Sequence, residues 1–228
     1  MSLRLRSLLA LVPVVVAAAA CSPALGRESA APHETLECAG GVVQSTAELD
    51  RFAACDVVTG DLEIRGGDAL DLRGLANLRR VDGSLVIADN PKLSSLSGLA
   101  RLRRVERLEL RDNPELTSLR GLEGVRDLDA LVLRKNGLRN VKGLDNLRTV
   151  GDLIVANHRR LLSLSALGQL REARSIRIEK NPQLAAQPGL LPSLVRVGES
   201  VELSANGGLS ASDVRALVAR PGLVAEVR

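Results

Sequence analysis

One spacing recurs along most of this chain and limits what it can fold into. Seven consecutive units of 22 to 24 residues run through residues 58–80, 81–104, 105–127, 128–149, 150–172, 173–196 and 197–220. Each unit reads apolar-x-apolar, two residues, Asn, then Leu two or three places on, and a GLxxL stretch follows in most of them. The apolar pairs are Leu62/Ile64, Leu85/Ile87, Leu108/Leu110, Leu131/Leu133, Leu153/Val155, Ile176/Ile178 and Val201/Leu203. Alternate residues of a strand share a face, so each pair predicts a short strand with both side chains inward. A single unit cannot bury its own apolar face, and stacking buries it against the next unit. The fold class expected is a right-handed solenoid of the leucine-rich-repeat type, built mainly of short parallel β-strands. With strands about 4.8 Å apart, seven coils span roughly 30 Å.

Composition suits such thin layers. Apolar residues make up 45% of the 228, yet the chain has one Phe (Phe52), no Trp, no Tyr and one Met. Cores of irregular shape normally use aromatics to fill space. The column Asn90, Asn113, Asn136, Asn181 and Asn206 falls where each strand turns. An Asn side chain offers donors and an acceptor to backbone groups that a stacked coil cuts off from water. These residues are therefore expected to form a structural ladder. Gly67 takes the place in the first unit and His158 in the fifth, where Asn157 stands one earlier.

Both ends of the array carry short helix signals, expected to cap it. Ser45 and Glu48 have capping-box spacing, with Leu49, Phe52 and Ala53 on one face. At the other end, Ser210 and Asp213 precede Val214, Leu217 and Val218, and Pro221 stops the run. The final LVAEVR could add an edge strand.

Residues 1–20 read as a signal peptide: basic Arg4 and Arg6, then an apolar run of thirteen residues, Leu8 to Ala20. Ala19 and Ala20 before Cys21 resemble a bacterial lipobox, although Ala18 stands where Leu is more usual. That resemblance implies acylation of Cys21 and anchoring to a membrane. The alternative is plain secretion with cleavage after Ala20. The three cysteines are Cys21, Cys38 and Cys55, and lipid on Cys21 leaves the other two to pair in an oxidising envelope. Such a bond closes about 17 residues and is worth about 3 kcal/mol. Residues 21–37 read as a flexible tether and 38–228 as one solenoid domain. Without Arg4 and Arg6 the chain keeps 29 basic against 27 acidic side chains, a net +2, so its basicity says little about nucleic acid.

The L-x-L-x-x-N-x-x-L pattern resembles a leucine-rich repeat. The stretch CDVVTGDLEI (55–64), with a short helix and another cysteine upstream, resembles the start of the receptor L domain. That family includes extracellular parts of growth-factor and insulin receptors, fungal wall proteins and bacterial lipoproteins. The resemblance implies a Cys38–Cys55 disulfide that pins the helix across the first coil, with the Leu62/Ile64 strand opening the solenoid.

Two histidines, His33 and His158, make no metal-ligand spacing, and no catalytic set or cofactor fingerprint appears. No enzyme activity, cofactor or metal is expected. Two binding surfaces are candidates. The outward strand positions place Val86, Val132 and Ile154, with Ala88 and Ala156, beside Glu109, Arg111 and Arg134. An exposed apolar stripe rimmed by charge marks a protein-binding site; the alternative is that β-branched residues merely favour sheets. After GLxxL comes an Arg column, Arg79, Arg103, Arg126, Arg148 and Arg171, fit for an anionic envelope component such as lipid headgroups. The alternative there is a solvated face neutralised by Asp127, Asp145 and Glu172. The expectation is a monomeric, non-catalytic binding or scaffold lipoprotein of the bacterial envelope. Its partners would be the membrane, through Cys21, and another envelope protein, not nucleic acid. Ser22 after the lipid cysteine points to the outer membrane.

Overall fold

The computed structural model describes residues 35–67, 71–185, 190–209, 211–219 and 224–225. The signal run, Cys21, most of the tether and His33 lie outside them, as do Ser210 and the Val214 and Val218 side chains.

The described residues build one parallel sheet of nine strands in sequence order. The strands are β1 (Glu37–Val43), β2 (Val57–Arg65), β3 (Arg80–Ala88), β4 (Arg104–Arg111) and β5 (Asp127–Arg134). They continue as β6 (Thr149–Ala156), β7 (Glu172–Glu179), β8 (Arg196–Ser204) and β9 (Val224–Ala225). Consecutive parallel strands joined by short returns are a solenoid, as the repeat requires. Leu62, Leu85, Leu108, Leu131, Leu153, Ile176 and Val201 pair rung to rung in one buried file. Ile64 to Ile178 form a second buried file, and only the last member, Leu203, is half-exposed.

The GLxxL stretches return the chain behind the sheet. Several close as 3-10 turns, at Arg73–Leu75, Ser97–Leu99 and Ser165–Gln169. Three residues per turn put positions i, i+3 and i+6 on one side. Leu72, Leu75 and Leu78 are accordingly all buried against the strand files, as are Leu96, Leu99 and Leu102. The glycine of this stretch lets coils touch: a Cβ on Gly98 would run into the Leu72 carbonyl, and one on Gly121 into that of Leu96.

A second column ends the strands. Gly66, Asp89, Asp112, Lys135, Asn157, Lys180 and Ala205 all hold φ between 51° and 61°. This left-handed conformation turns the chain out of the strand. From Gly66 to Lys180 each N–H still reaches the next coil, as in Asp112 N to Arg134 O at 3.1 Å and Lys135 N to Ala156 O at 3.1 Å.

The Asn ladder follows one residue later. Asn113 Nδ2 donates to Ile87 O (2.9 Å) and Asn136 Oδ1 (3.0 Å), while Asn113 Oδ1 accepts from Asn90 N (3.2 Å). Gly67 N donates to Asn90 Oδ1 and His158 N to Asn181 Oδ1, so both substitutes occupy ladder places. Asn90, Asn113 and Asn181 are fully buried, whereas Asn206 is half-exposed.

The ends differ from expectation. The short helix α1 (Thr46–Leu49) forms, with Ser45 Oγ accepting from Glu48 N (3.2 Å) and Glu48 accepting from Gln44 N (2.7 Å). It is not the outermost element: β1 lies beyond it and pairs with β2, so α1 is the return of an extra first coil. ECAGGVV lacks the apolar-x-apolar pair, and Gly41 stands opposite Leu62, which hid the strand. After Leu49 the helix tightens to a 3-10 turn at Asp50–Phe52. Phe52 stays buried but Ala53 rotates out to solvent, against the helical-face expectation. The Cys38–Cys55 disulfide is present, with 17 residues of separation and Cα atoms 5.9 Å apart. It closes the β1 coil on itself and does not fasten a lid across β2. At the other end, α2 (Ala211–Val218) returns the chain to β9, which pairs with β8 through Val224 and Ala225.

Candidate binding faces

Between the inward files the strands present three outward columns. The middle one runs Glu63, Val86, Glu109, Val132, Ile154, Arg177 and Glu202, each beside the next. The structure joins Val132 to Ile154 but separates Val86 from them by Glu109. Glu109 is held by Arg107 (3.1 Å) and Arg111 (3.3 Å), and Arg111 also reaches Asp89 (3.1 Å).

The expected exposure of this stripe needs correction. Val86 and Ile154 are half-exposed, Val132 is only 3% exposed, and Ala88 and Ala156 are fully covered. Side chains on strands about 4.8 Å apart shield one another, and the stems of long charged residues cover apolar neighbours. Ala88 lies between Arg65 and Arg111, and Ala156 between Arg134 and Glu179. What remains is a shallow apolar floor of Ala130, Val132 and Ile154 beside Arg134. Among the described residues Arg134 makes no ion pair, unlike Arg65, Arg107, Arg111 and Arg177. Across the floor Asp152 is bound by Arg174 and by the Ser175 hydroxyl (2.7 Å). The Arg174 hydrogen bond holds the Asp152 carboxyl below its usual range, against partial burial and with help from Ser175.

The Arg column lies at the opposite, leading ends of the strands and is in register as backbone except between Arg103 and Arg126. Arg103 N donates to Arg79 O (2.9 Å), Arg148 N to Arg126 O (2.7 Å) and Arg171 N to Arg148 O (2.8 Å). The guanidinium groups diverge. Arg79 lies 3.4 Å from buried Asp56, and Arg103 donates to the Ala100 (3.0 Å) and Leu102 (3.1 Å) carbonyls. The carboxylates expected to neutralise the column do not pair with it among the described residues, and Asp145 accepts instead from Gly143 N (2.9 Å). Pairing of β4 with β5 starts only at Arg107, so the strand starts splay between Arg103 and Arg126. A cleft of about 470 Å³ opens there, lined by Arg103, Arg104 and Arg126 with Glu123 and Asp127.

His158 is the one polar residue of the ladder that does not fit it. It is fully buried, and neither ring nitrogen has a hydrogen-bond partner among the described residues. Burial pushes its pKa down to about 4, with the Asn181 side chain pulling the other way. The imidazole is therefore neutral at physiological pH and sits too deep to serve as a surface base. No three His, Cys, Asp or Glu residues among those described gather to hold a metal, and no described helix is long and apolar enough to cross a membrane.

Sequence reasoning missed a third feature, a basic recess of about 750 Å³ at the trailing ends of the middle strands. Its signal was present as a missing residue: Asn136-Gly137-Leu138 is one shorter than Asn113-Pro114-Glu115-Leu116.

No curated protein matches the chain. Residues 54–135 match the family model of the receptor L domain, a non-catalytic ligand-binding module. The match begins beside the disulfide cysteine Cys55 and ends on Lys135, the left-handed residue after β5, and over this span the chain is receptor L-domain-like.

Proposed function

We propose that this protein is a non-catalytic binding module of the bacterial cell envelope, held at the membrane by lipid on Cys21, and that it takes a protein partner on the outward face of the sheet. The observation that carries this reading is half-exposed Ile154, seated on buried Ala130 and Val132 beside Arg134, a guanidinium with no ion-pair partner among the described residues. Interfaces place apolar residues centrally and enrich Arg next to them. An unpaired Arg at the edge of an apolar floor is available to a partner carboxylate.

The test is crosslinking in the native cell followed by mass spectrometry, repeated with Ile154→Glu and Arg134→Glu. Both side chains are partly exposed, so the fold tolerates the change. Loss of the same crosslinked protein in both variants, with retention in Arg148→Glu, supports the sheet face. Retention in both variants refutes it. The mass of the mature N-terminus reads the anchor: a diacylated or triacylated Cys21 supports it and free Cys21 refutes it.

A second reading is recognition of an anionic envelope component along the Arg column. It is favoured by the backbone ladder that stacks Arg126, Arg148 and Arg171. Salt-sensitive retention on anionic vesicles, lost in an Arg126→Glu and Arg148→Glu double variant, is its signature.

A further inference from the structure

The recess at the trailing ends of β5, β6 and β7 has an origin in chain length. Unit 128–149 has 22 residues where the units on either side have 23. The residue lost comes from the turn after Asn136. That turn stays low: Gly137 N bonds to Asn113 O (3.1 Å), and a Cβ on Gly137 would strike the Pro114 carbonyl. The floor is therefore backbone, and the taller turns of the adjoining coils form walls around about 750 Å³. Sites for small ligands typically measure about 300–1,000 Å³.

The walls are cationic. Lys135, Arg159, Arg160 and Lys180 line the recess against a single carboxylate, Glu115. Lys135 is shared with Asp112 at 3.7 Å. Arg159, Arg160 and Lys180 make no ion pair among the described residues. Elsewhere the turn after the ladder residue carries at most one cation, as at Asn90-Pro91-Lys92 and Asn181-Pro182-Gln183. Only the fifth unit offers two adjacent guanidinium groups at this turn, and it offers them over the shortened turn of its neighbour. Guanidinium forks match the paired oxygens of phosphate, and Lys adds a point charge. The only aromatic residue of the chain is Phe52, far along in sequence and buried, so no flat ring is present to stack a base or sugar.

We propose that this recess binds a phosphate-bearing ligand, with Arg159 and Arg160 gripping the phosphate oxygens and Lys135 and Lys180 completing the charge. The site is separate from both surfaces considered above: the Arg column lies at the leading ends of the strands, and Val132 and Ile154 lie on the sheet face. It does not depend on either reading.

The phosphate could be carried by a soluble molecule or by a lipid headgroup, and two probes separate them. The full chain in detergent is titrated calorimetrically with inorganic pyrophosphate. It is also tested for cosedimentation with phosphatidylglycerol vesicles after removal of its own lipid anchor by Cys21→Ala. Saturable pyrophosphate binding that weakens tenfold or more in Arg159→Ala/Arg160→Ala, and is unchanged in Lys92→Ala, an exposed cation at the same turn of another coil, supports a soluble phosphate ligand. Vesicle binding lost in the same double variant, without pyrophosphate binding, supports a phosphate on a headgroup. Binding to neither probe, or binding to either that ignores Arg159 and Arg160, overturns the proposal. Both arginines are exposed, so the double variant keeps its far-UV spectrum.

Discussion

His158 is joined to Asn181 in one direction only. Its backbone N–H donates to Asn181 Oδ1 at 2.9 Å, while its ring nitrogens make no hydrogen bond among the described residues. Every Asn in the same column uses its side chain to hold a carbonyl of the preceding coil, as Asn181 does with Val155 O at 3.0 Å. The ladder is therefore interrupted once, between Asn136 and His158.

Replacing His158 by Asn should repair that break. The smaller amide reproduces the geometry of its neighbours and removes two unpartnered buried nitrogens. A gain of about 1–3 kcal/mol follows from the cost of leaving buried polar groups unsatisfied. The urea midpoint should rise in His158→Asn with an unchanged slope.

The same residue sets a pH dependence. The buried imidazole titrates at about 4 when folded, against 6.5 as the ordinary value. Between those values the unfolded chain binds a proton that the folded one does not. Stability is full above about pH 6.5 and is lost as pH falls toward 4, by about 3 kcal/mol at most. Denaturation curves from pH 7 to pH 4 should fall more steeply for the natural protein than for His158→Asn, and equal slopes would exclude this role.

Asn113 tests the intact part of the ladder. Asn113→Ala strips Ile87 O of its donor and Asn90 N of its acceptor in a region closed to water. A loss of about 3 kcal/mol is expected. Asn206→Ala removes equivalent bonds to Ile178 O (2.7 Å) and Asn181 N (3.1 Å) at a half-exposed site. Water can replace them there, so its midpoint should move less than half as far.

Gly98→Ala should cost about 2 kcal/mol, because its methyl group meets the Leu72 carbonyl and neither backbone can retreat without parting two coils. Gly168→Ala is the control, since the nearest atom to its added methyl is Pro192 Cγ at 4.0 Å. Thermal unfolding of the two variants should separate them clearly.

Reducing the Cys38–Cys55 bond should cost about 3 kcal/mol. The loss should be read first in β1, which is the outermost strand and has Gly41 where its neighbour has Leu62. Amide exchange across Glu37–Val43 should accelerate before that of β4.

The sequence was most legible where one residue type had one job. Strand register followed from the Leu, Ile and Val pairs, because a one-residue slip would turn the apolar files to solvent. The place of His158 in the ladder was readable by counting. What escaped lacked such a mark. The left-handed column holds Gly, Asp, Lys, Asn and Ala, a mixture that hides a shared backbone requirement. β1 has no apolar pair to announce it. The burial of Val132, Ala88 and Ala156 depends on neighbours from other coils, which no single unit displays. The recess came from an absent residue, which a search for repeated letters passes over.

Each strand rests only on its two neighbours, so cohesion along the stack is serial. The junction of β5 with β6 keeps all its strand pairing on the sheet side. On the turn side it lacks both a ladder bond and a residue of turn. Among the described residues the two coils are tied there by backbone alone, Lys135 N–H to Ala156 O at 3.1 Å and Leu162 N–H to Arg139 O at 2.9 Å, beside the recess that Lys135 and Arg159 line. Any guest seated between those two cations would add a side-chain tie across the one junction where the ladder supplies none.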